Sequence, residues 1–133
     1  MAAADVLAKF LPSGVMAWDQ MKSEIEPWGE IRKYHIGDTS SCRDMFSAIL
    51  HVKPGWEVHP PHRHVEEEFL VIMGGTGIWY YEDKEIPAKF GDVLFTEPWA
   101  LHGIKNTGKE PLIFFVSKWI GRETPLIAKS EVV

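Results

Sequence analysis

Histidines and carboxylates are concentrated near the middle of the chain, and their spacing predicts a metal site. His62 and His64 are separated by one residue, so on an extended strand both side chains point to the same face. Glu68 has the same parity as both. An unbroken strand from His62 to Ile72 would be unusually long, so we expect a bend near residues 65–67. Two imidazoles and a carboxylate on one face favour a metal ion, since imidazole suits zinc, iron, copper and nickel and carboxylate oxygen extends the range to manganese.

The sequence around these residues resembles the first motif of the cupin superfamily. That motif runs glycine, five residues, His-x-His, three or four residues, glutamate, six residues and glycine. The matching residues are Gly55, His62, His64, Glu68 and Gly75, with six residues rather than five before the first histidine.

A second stretch resembles the second cupin motif, which runs glycine, five residues, Pro-x-Gly, two residues, histidine, three residues and asparagine. Gly91, His102 and Asn106 keep the overall spacing. Two positions depart from it, since Pro98 stands one place late and Ala100 stands near the expected glycine. The resemblance covers roughly residues 44–120.

The resemblance implies an all-β fold, a double-stranded β-helix or jelly-roll barrel. It also implies that His62, His64, Glu68 and His102 bind one divalent transition metal, which we expect to be manganese, iron, nickel or zinc. Three neutral imidazoles and one carboxylate would leave a divalent ion with a net charge of about +1 and with positions open for a substrate. Asn106 is expected to fix the loop that carries His102.

The strand pattern agrees with a barrel, since short runs rich in β-branched and aromatic residues alternate with turn sequences. We predict a short helix over Ala2–Leu11, while residues 15–26 fit either a helical stripe or the beginning of a strand.

No repeat or linker indicates a second domain. We therefore divide the single domain into an N-terminal extension with the first strand (1–43), the barrel core (44–120) and a C-terminal tail (121–133). The predicted strands are Glu30–Ile36, Met45–Val52, Phe69–Ile72, Gly77–Tyr81, Glu85–Ala88, Val93–Thr96, Gly103–Lys105 and Leu112–Trp119.

Composition excludes several classes of function. The net charge of −5 argues against a nucleic-acid groove, which needs a basic stripe. The longest apolar run, Leu112–Val116, is far too short to span a membrane. Cys42 is the only cysteine, so no internal disulfide can form, and the N-terminus lacks a basic leader. We expect a cytoplasmic protein.

Three functions remain open. The first is a metal-dependent enzyme of dioxygenase, decarboxylase, isomerase or lyase type, acting on a small organic molecule in a pocket made apolar by residues such as Leu70 and Ile72. The second is a non-catalytic binder or sensor of a small ligand, and the third is a metal-free isomerase or a structural barrel. The candidate catalytic groups are Tyr80, Tyr81, His51, His59 and Glu67, and strand parity allows only one of the adjacent tyrosines to face the cavity.

The aromatic residues are expected to lie mostly in the core. Cupins are commonly homodimers, and Trp28 and Trp119 would suit an interface between two copies. The expected partners are thus a small-molecule substrate or ligand and a second copy of the chain.

Overall fold

The structure, a computed structural model, describes residues 8–127 and consists almost entirely of β-strands in this range. A three-residue 3₁₀ turn at Trp18–Gln20 is the helical element of the described chain. The strands are β1 (Ser23–Glu26), β2 (Gly29–Gly37), β3 (Cys42–Val52), β4 (Glu67–Gly74), β5 (Gly77–Tyr81), β6 (Lys84–Ala88), β7 (Val93–Thr96), β8 (His102–Lys105) and β9 (Leu112–Gly121).

These strands form two antiparallel sheets that face each other. The larger sheet has the order β1-β2-β3-β9-β4-β7, and the smaller has the order β6-β5-β8. In the larger sheet β9 pairs with β3 on one side and with β4 on the other, so it lies at the centre. This two-sheet architecture confirms the predicted double-stranded β-helix.

The core lies between the sheets and follows from alternation along each strand. In β4 the side chains of Glu68, Leu70 and Ile72 are buried, while the neighbouring Phe69 and Met73 are half exposed. The same period of two runs through β3 and β9, and it places their buried side chains opposite one another. The central buried cluster comprises Ala48, Leu50, Val52, Leu70, Ile72, Trp79, Ala88, Ile104, Leu112, Phe114 and Val116.

The predicted strands are confirmed, and most differ from the observed ones by only a few residues at their ends. The ambiguous segment 15–26 forms the 3₁₀ turn and then β1, which pairs with β2, so a strand precedes the one predicted as first. The predicted helix over Ala2–Leu11 lies largely outside the described residues, and residues 8–10 form a turn and a bend.

The turn between β4 and β5 depends on a glycine, as the Gly74-Gly75 pair predicts. Gly75 has φ +77°, in the left-handed region, and a Cβ there would collide with the carbonyl oxygen of Pro111. The expectation that aromatic residues fill the core is correct only in part. Trp79 and Phe114 are buried, whereas Trp56 and Phe95 are about half exposed.

The described residues 8–127 contain no helix of the length and apolar character that crossing a bilayer requires.

Candidate metal centre

One end of the larger sheet presents a polar row on its inner face. Glu68 of β4 lies opposite Lys118 of β9 and opposite Thr96 of β7, and Lys118 in turn lies opposite Phe46 of β3. Residues paired across antiparallel strands share a face, so these four side chains belong to the side that carries the core. The rows deeper in the barrel are apolar, as the pair Leu70 and Val116 shows.

The histidines approach this row from the chain segments at the same end. His102 begins β8 in the smaller sheet and forms an isolated antiparallel bridge with His62, through His62 N–H to His102 O (2.9 Å) and His102 N–H to His62 O (3.1 Å). His62 and His64 precede β4, and a bend at residues 65–66, as expected, separates them from that strand. The His62 and His64 imidazoles nevertheless converge, with ring centroids 4.8 Å apart.

The three imidazoles pack around a common point. Their ring centroids are separated by 4.8 Å (His62 to His64), 5.0 Å (His62 to His102) and 4.6 Å (His64 to His102). One ring nitrogen from each lies within 4.8 Å of the others. Three nitrogens bound to one ion at about 2.1 Å would be about 3.0–3.6 Å apart, so the imidazoles would have to move together by about 1 Å to bind a metal.

Backbone carbonyls orient two of the imidazoles. His64 Nδ1 donates to the Glu66 carbonyl oxygen at 3.0 Å, and His102 Nδ1 donates to the Ala100 carbonyl oxygen at 2.9 Å. A carbonyl can only accept, so each Nδ1 carries the proton and each Nε2 keeps its lone pair when the ring is neutral. Such contacts fix the tautomer and the orientation of metal-binding histidines in proteins.

Glu68 lies beside two of these nitrogens and brings one carboxylate oxygen close to both. Its Oε2 is 2.6 Å from His102 Nε2 and 3.5 Å from His64 Nε2. Both Glu68 Oε2 and His102 Nε2 are buried and lack a partner in hydrogen-bonding geometry within the described chain, in spite of their short separation. Buried polar atoms are rarely left this way, and atoms that converge without bonding to one another are suited to a shared ligand such as a metal ion.

The group is electrostatically coupled. Burial alone would raise the pKa of Glu68, but the adjoining His102 and His64 imidazoles outweigh it and hold the pKa at about 2. Burial lowers the pKa of His62 to about 3, with the neighbouring imidazoles adding to the effect, so this ring is neutral at physiological pH. Burial also lowers the pKa of His102, and Lys118 adds to this, but Glu68 and the Ala100 carbonyl reverse the direction and raise it.

A small apolar cavity adjoins the histidines. It has a volume of about 60 Å³, room for a few water molecules or a short organic chain. Its lining includes Leu70, as expected, but not Ile72, which lies deeper in the core. The lining residues are Leu50, Val58, His59, Leu70, His102, Gly103, Ile104 and Phe114.

The candidate catalytic residues fall into two groups. His59 stacks on His62 with ring centroids 3.7 Å apart and lines the cavity, while Tyr81 pairs across the ladder with His102 and so shares its sheet face. Tyr80 pairs with Gly103 and points to the other face. The structure does not bring His51 or Glu67 to the site: His51 stacks on Trp18 at 5.4 Å outside the barrel, and Glu67 lies on the outer face of β4.

The loop before His102 differs from the motif in sequence but keeps its backbone conformation. The residue three positions before His102, where the motif has glycine, is Trp99 rather than Ala100, and it adopts φ +67°. Its backbone N–H donates to the His64 carbonyl at 2.8 Å, and its carbonyl accepts from Arg63 at 2.8 Å. These bonds hold a tryptophan in a conformation that glycine would adopt without strain.

Asn106 has a structural role, but at a different place from the one expected. Its side-chain amide donates to the carbonyls of Val52 and Glu110, both at 2.8 Å, and its Oδ1 accepts from Gly108 N–H at 2.9 Å. It therefore fixes the turn after β8 to the end of β3, at the end of the barrel away from the histidines. The loop before His102 is held by Trp99 instead.

Lys118 and Thr96 are site neighbours that sequence reasoning missed. Both lie on strands that were predicted, but their position beside Glu68 depends on the register of β9 and β7 against β4. Parity within one strand carries no information about register between strands. No signal in the sequence identifies them.

Comparison with known proteins shows the family. The family model described as "Cupin domain" matches residues 48–118, and the chain belongs to this family. The stretch around the two motifs is 34% identical over 87 residues to a gentisate 1,2-dioxygenase from a Streptomyces species, covering 64% of this chain but only 23% of that protein. It is 31% identical over 88 residues to an oxalate-binding protein from Thermotoga maritima, covering 65% of this chain and 73% of that protein.

Solved structures agree with this assignment. A protein described as a predicted oxalate decarboxylase from Thermotoga maritima superposes with a TM-score of 0.66 at 27% identity, covering 80% of this chain and 99% of that one. An RmlC-like cupin from Shewanella frigidimarina superposes with a TM-score of 0.69 at 16% identity, covering 85% of this chain and 96% of that one. At that identity the second likeness shows the fold alone.

Proposed function

We propose that this chain is a metal-dependent cupin enzyme that acts on a small organic molecule bound through oxygen. The observation that carries the proposal is the convergence of the His62, His64 and His102 imidazoles, two of which lie within 3.5 Å of the buried Glu68 Oε2. The proposed ligands are His62 and His64, Glu68 and His102, and the proposed metal is manganese, iron, nickel or zinc. A bound divalent ion would supply a Lewis acid that polarises a carboxylate or carbonyl oxygen.

The chain's own residues then bind and orient the substrate. The apolar lining of the cavity, made by Leu50, Leu70 and Phe114, excludes water and accepts a short carbon chain. His59 stands at the mouth with Nδ1 bonded to the Pro60 carbonyl at 2.8 Å, which leaves Nε2 free to bond a substrate oxygen. Tyr81 is the second group placed to transfer or hold a proton, since it shares a face with His102.

The similarity to a gentisate dioxygenase and to an oxalate-binding protein supports a substrate that bears a carboxylate. Gentisate and oxalate differ in size. The small cavity favours a substrate of the size of oxalate, or a larger substrate of which only the metal-binding group enters the cavity. We therefore propose a short carboxylic acid, converted by oxidation or by decarboxylation.

The test is reconstitution of the purified chain with each of the four metals, followed by metal analysis and by screening with oxalate, short keto acids and phenolic acids while oxygen uptake is recorded. We expect about one equivalent of metal and turnover of one substrate class, both lost in His62→Ala. His51→Ala is the matched control, because this histidine lies outside the barrel. Turnover retained in His62→Ala would refute the proposal.

A second candidate is a non-catalytic carboxylate binder, which the 31% identity to an oxalate-binding protein supports. It predicts the same metal stoichiometry and saturable binding of oxalate, with oxalate recovered unchanged after prolonged incubation. Product analysis after incubation therefore separates the two candidates.

We also propose that two copies of the chain associate through the outer face of the larger sheet. Phe69, Phe95 and Trp119 form a contiguous aromatic surface there, with ring centroids of Phe69 at 5.2 Å from Phe95 and 5.6 Å from Trp119. Large exposed apolar patches of this kind mark interaction sites. Trp28, by contrast, packs against the core. Light scattering should give a dimer that Phe95→Ser converts to a monomer, and a monomeric parent chain would contradict the proposal.

A further inference from the structure

The polar row on the larger sheet contains a cation, Lys118, that pairs with no carboxylate of the described residues. Lys118 lies directly opposite Glu68, yet the Glu68 carboxylate contacts the imidazoles instead. Within residues 8–127 Lys118 forms no salt bridge, and its ammonium lies 5.1 Å from the centroid of the Phe46 ring. A lysine whose role was to neutralise Glu68 would be expected to pair with it.

The other neighbour of Glu68 has an equally unused donor. Thr96 is 1% exposed, and its Oγ1 makes no hydrogen bond within the described chain. A buried hydroxyl without a partner is unfavourable, and native proteins seldom keep one unless a bound group satisfies it. Glu68 is thus flanked on the inner face of the sheet by two donors, one cationic and one neutral, and neither is used.

Both donors lie at the barrel end where the histidines converge. Lys118 is half buried, so part of this residue is open to solvent. The lining of the small cavity next to His102 and His59 is apolar except for those two rings, so the cavity itself offers no cation to a negatively charged substrate. The row beside Glu68 supplies one.

We propose that Lys118 and Thr96 form an anion subsite that binds a carboxylate group of the substrate while another oxygen of that substrate binds the metal. This inference rests on the proposed metal-dependent function and defines its substrate class as carboxylates with a second metal-binding oxygen. The Lys118 ammonium supplies charge and up to three donors, and the Thr96 hydroxyl supplies one. The ring of Phe46, whose centroid is 5.1 Å from the ammonium, favours the positive charge.

The experiment uses the full chain loaded with Zn²⁺ and measures oxalate binding by calorimetry in four variants: Lys118→Met, Lys118→Arg, Thr96→Val and Lys109→Met. Lys109 is the matched control, an exposed lysine in the turn before β9 at the opposite end of the barrel. Imidazole, a neutral metal ligand, serves as the second probe. Zinc stoichiometry is measured for every variant.

We expect Lys118→Met to bind one equivalent of zinc and imidazole as the parent chain does, while its oxalate affinity falls at least tenfold, about 1.4 kcal/mol. Lys118→Arg should recover most of this loss. Thr96→Val should lose about two- to fivefold in oxalate affinity while its thermal unfolding temperature is unchanged or raised, because valine removes an unpaired buried hydroxyl. If Thr96 had only a structural role, Thr96→Val would not lower the oxalate affinity while leaving the unfolding temperature unchanged or raised.

The outcomes distinguish the two proposals. Equal oxalate affinity in Lys118→Met and the parent chain would overturn the anion subsite and leave the metal site intact. Equal losses in Lys118→Met and Lys109→Met would also overturn it, since they would reflect net charge alone. A parent chain that binds no zinc and none of the other three metals would overturn the proposed function, and the anion subsite with it.

Discussion

Replacing Glu68 by glutamine tests the electrostatic account of the site in the metal-free chain. The carboxyl is 7% exposed, and the imidazoles lower its pKa from 4.5 to about 2. At 1.36 kcal/mol for each pKa unit, the ionised carboxylate contributes about 3 kcal/mol to folding, an upper value. The raised pKa of His102 reflects the same contact and is not counted again.

The sign of the pH dependence follows from the direction of the shift. Because the folded pKa of Glu68 is depressed, its contribution is complete above about pH 4.5 and is lost as the pH falls towards 2. The difference in the free energy of unfolding between the parent chain and Glu68→Gln should therefore approach about 3 kcal/mol above pH 5 and nearly vanish near pH 2. For a chain of 133 residues the larger value corresponds to about 10 °C in the unfolding temperature.

The assay is urea unfolding of chelator-treated protein, followed by tryptophan fluorescence between pH 2.5 and 7. Glu67→Gln is the matched control, since this neighbour lies on the outer face of β4, and it should change stability by less than about 0.5 kcal/mol. A loss in Glu68→Gln that stays constant from pH 3 to pH 7 would refute the reasoning, because it would show that shape and packing, not the charge, stabilise the site.

Four further predictions concern the same end of the barrel and its anchoring. Because the pKa of His102 is raised and a metal needs the neutral ring, apparent zinc affinity should increase with pH through neutrality, with proton release detectable by calorimetry in buffers of different ionisation enthalpy. Trp99→Gly should be about 1 kcal/mol more stable than Trp99→Ala in urea unfolding, because φ is +67° at this position and only glycine adopts that angle without strain. At most positions alanine is the more stable of the two replacements. Asn106→Ala should lower the free energy of unfolding by about 2–4 kcal/mol, since a buried and a part-buried carbonyl lose their donor, while zinc stoichiometry stays unchanged. Tyr81→Phe, but not Tyr80→Phe, should reduce turnover at saturating substrate, because only Tyr81 shares a sheet face with His102.

Much of the fold could be predicted because strands and turns leave local signals. Alternation in β4 and β9 and the Gly74-Gly75 turn are properties of a few adjacent residues, so they can be read without knowing the partner strands. The segment 15–26 could not be assigned, since its apolar residues fit both the helical period and the strand period. It forms a strand in part because β1 pairs with β2, and this pairing is a tertiary effect.

The candidate site was predictable where two motifs carry it and not where strand register decides. His62, His64 and His102 are recognisable by spacing, and the structure brings them together with Glu68. Lys118 has no motif, because its place beside Glu68 arises only when β9 lies between β3 and β4. His51 could not be excluded from the sequence for a similar reason. Histidine is a suitable catalytic residue, but this one lies on the face of its strand that points away from the barrel interior.

Hydrogen bonds join the two motif segments directly. The backbones of His62 and His102 bond to each other in both directions, and Trp99 N–H donates to the His64 carbonyl. Arg63, which points away from the two histidines beside it, donates to the Trp99 carbonyl. Each segment therefore fixes the backbone of the other, and Trp99 keeps its strained conformation because hydrogen bonds hold both its N–H and its carbonyl. A metal bound at the proposed site would then have mainly side chains to order, which favours affinity over a site assembled from free loops.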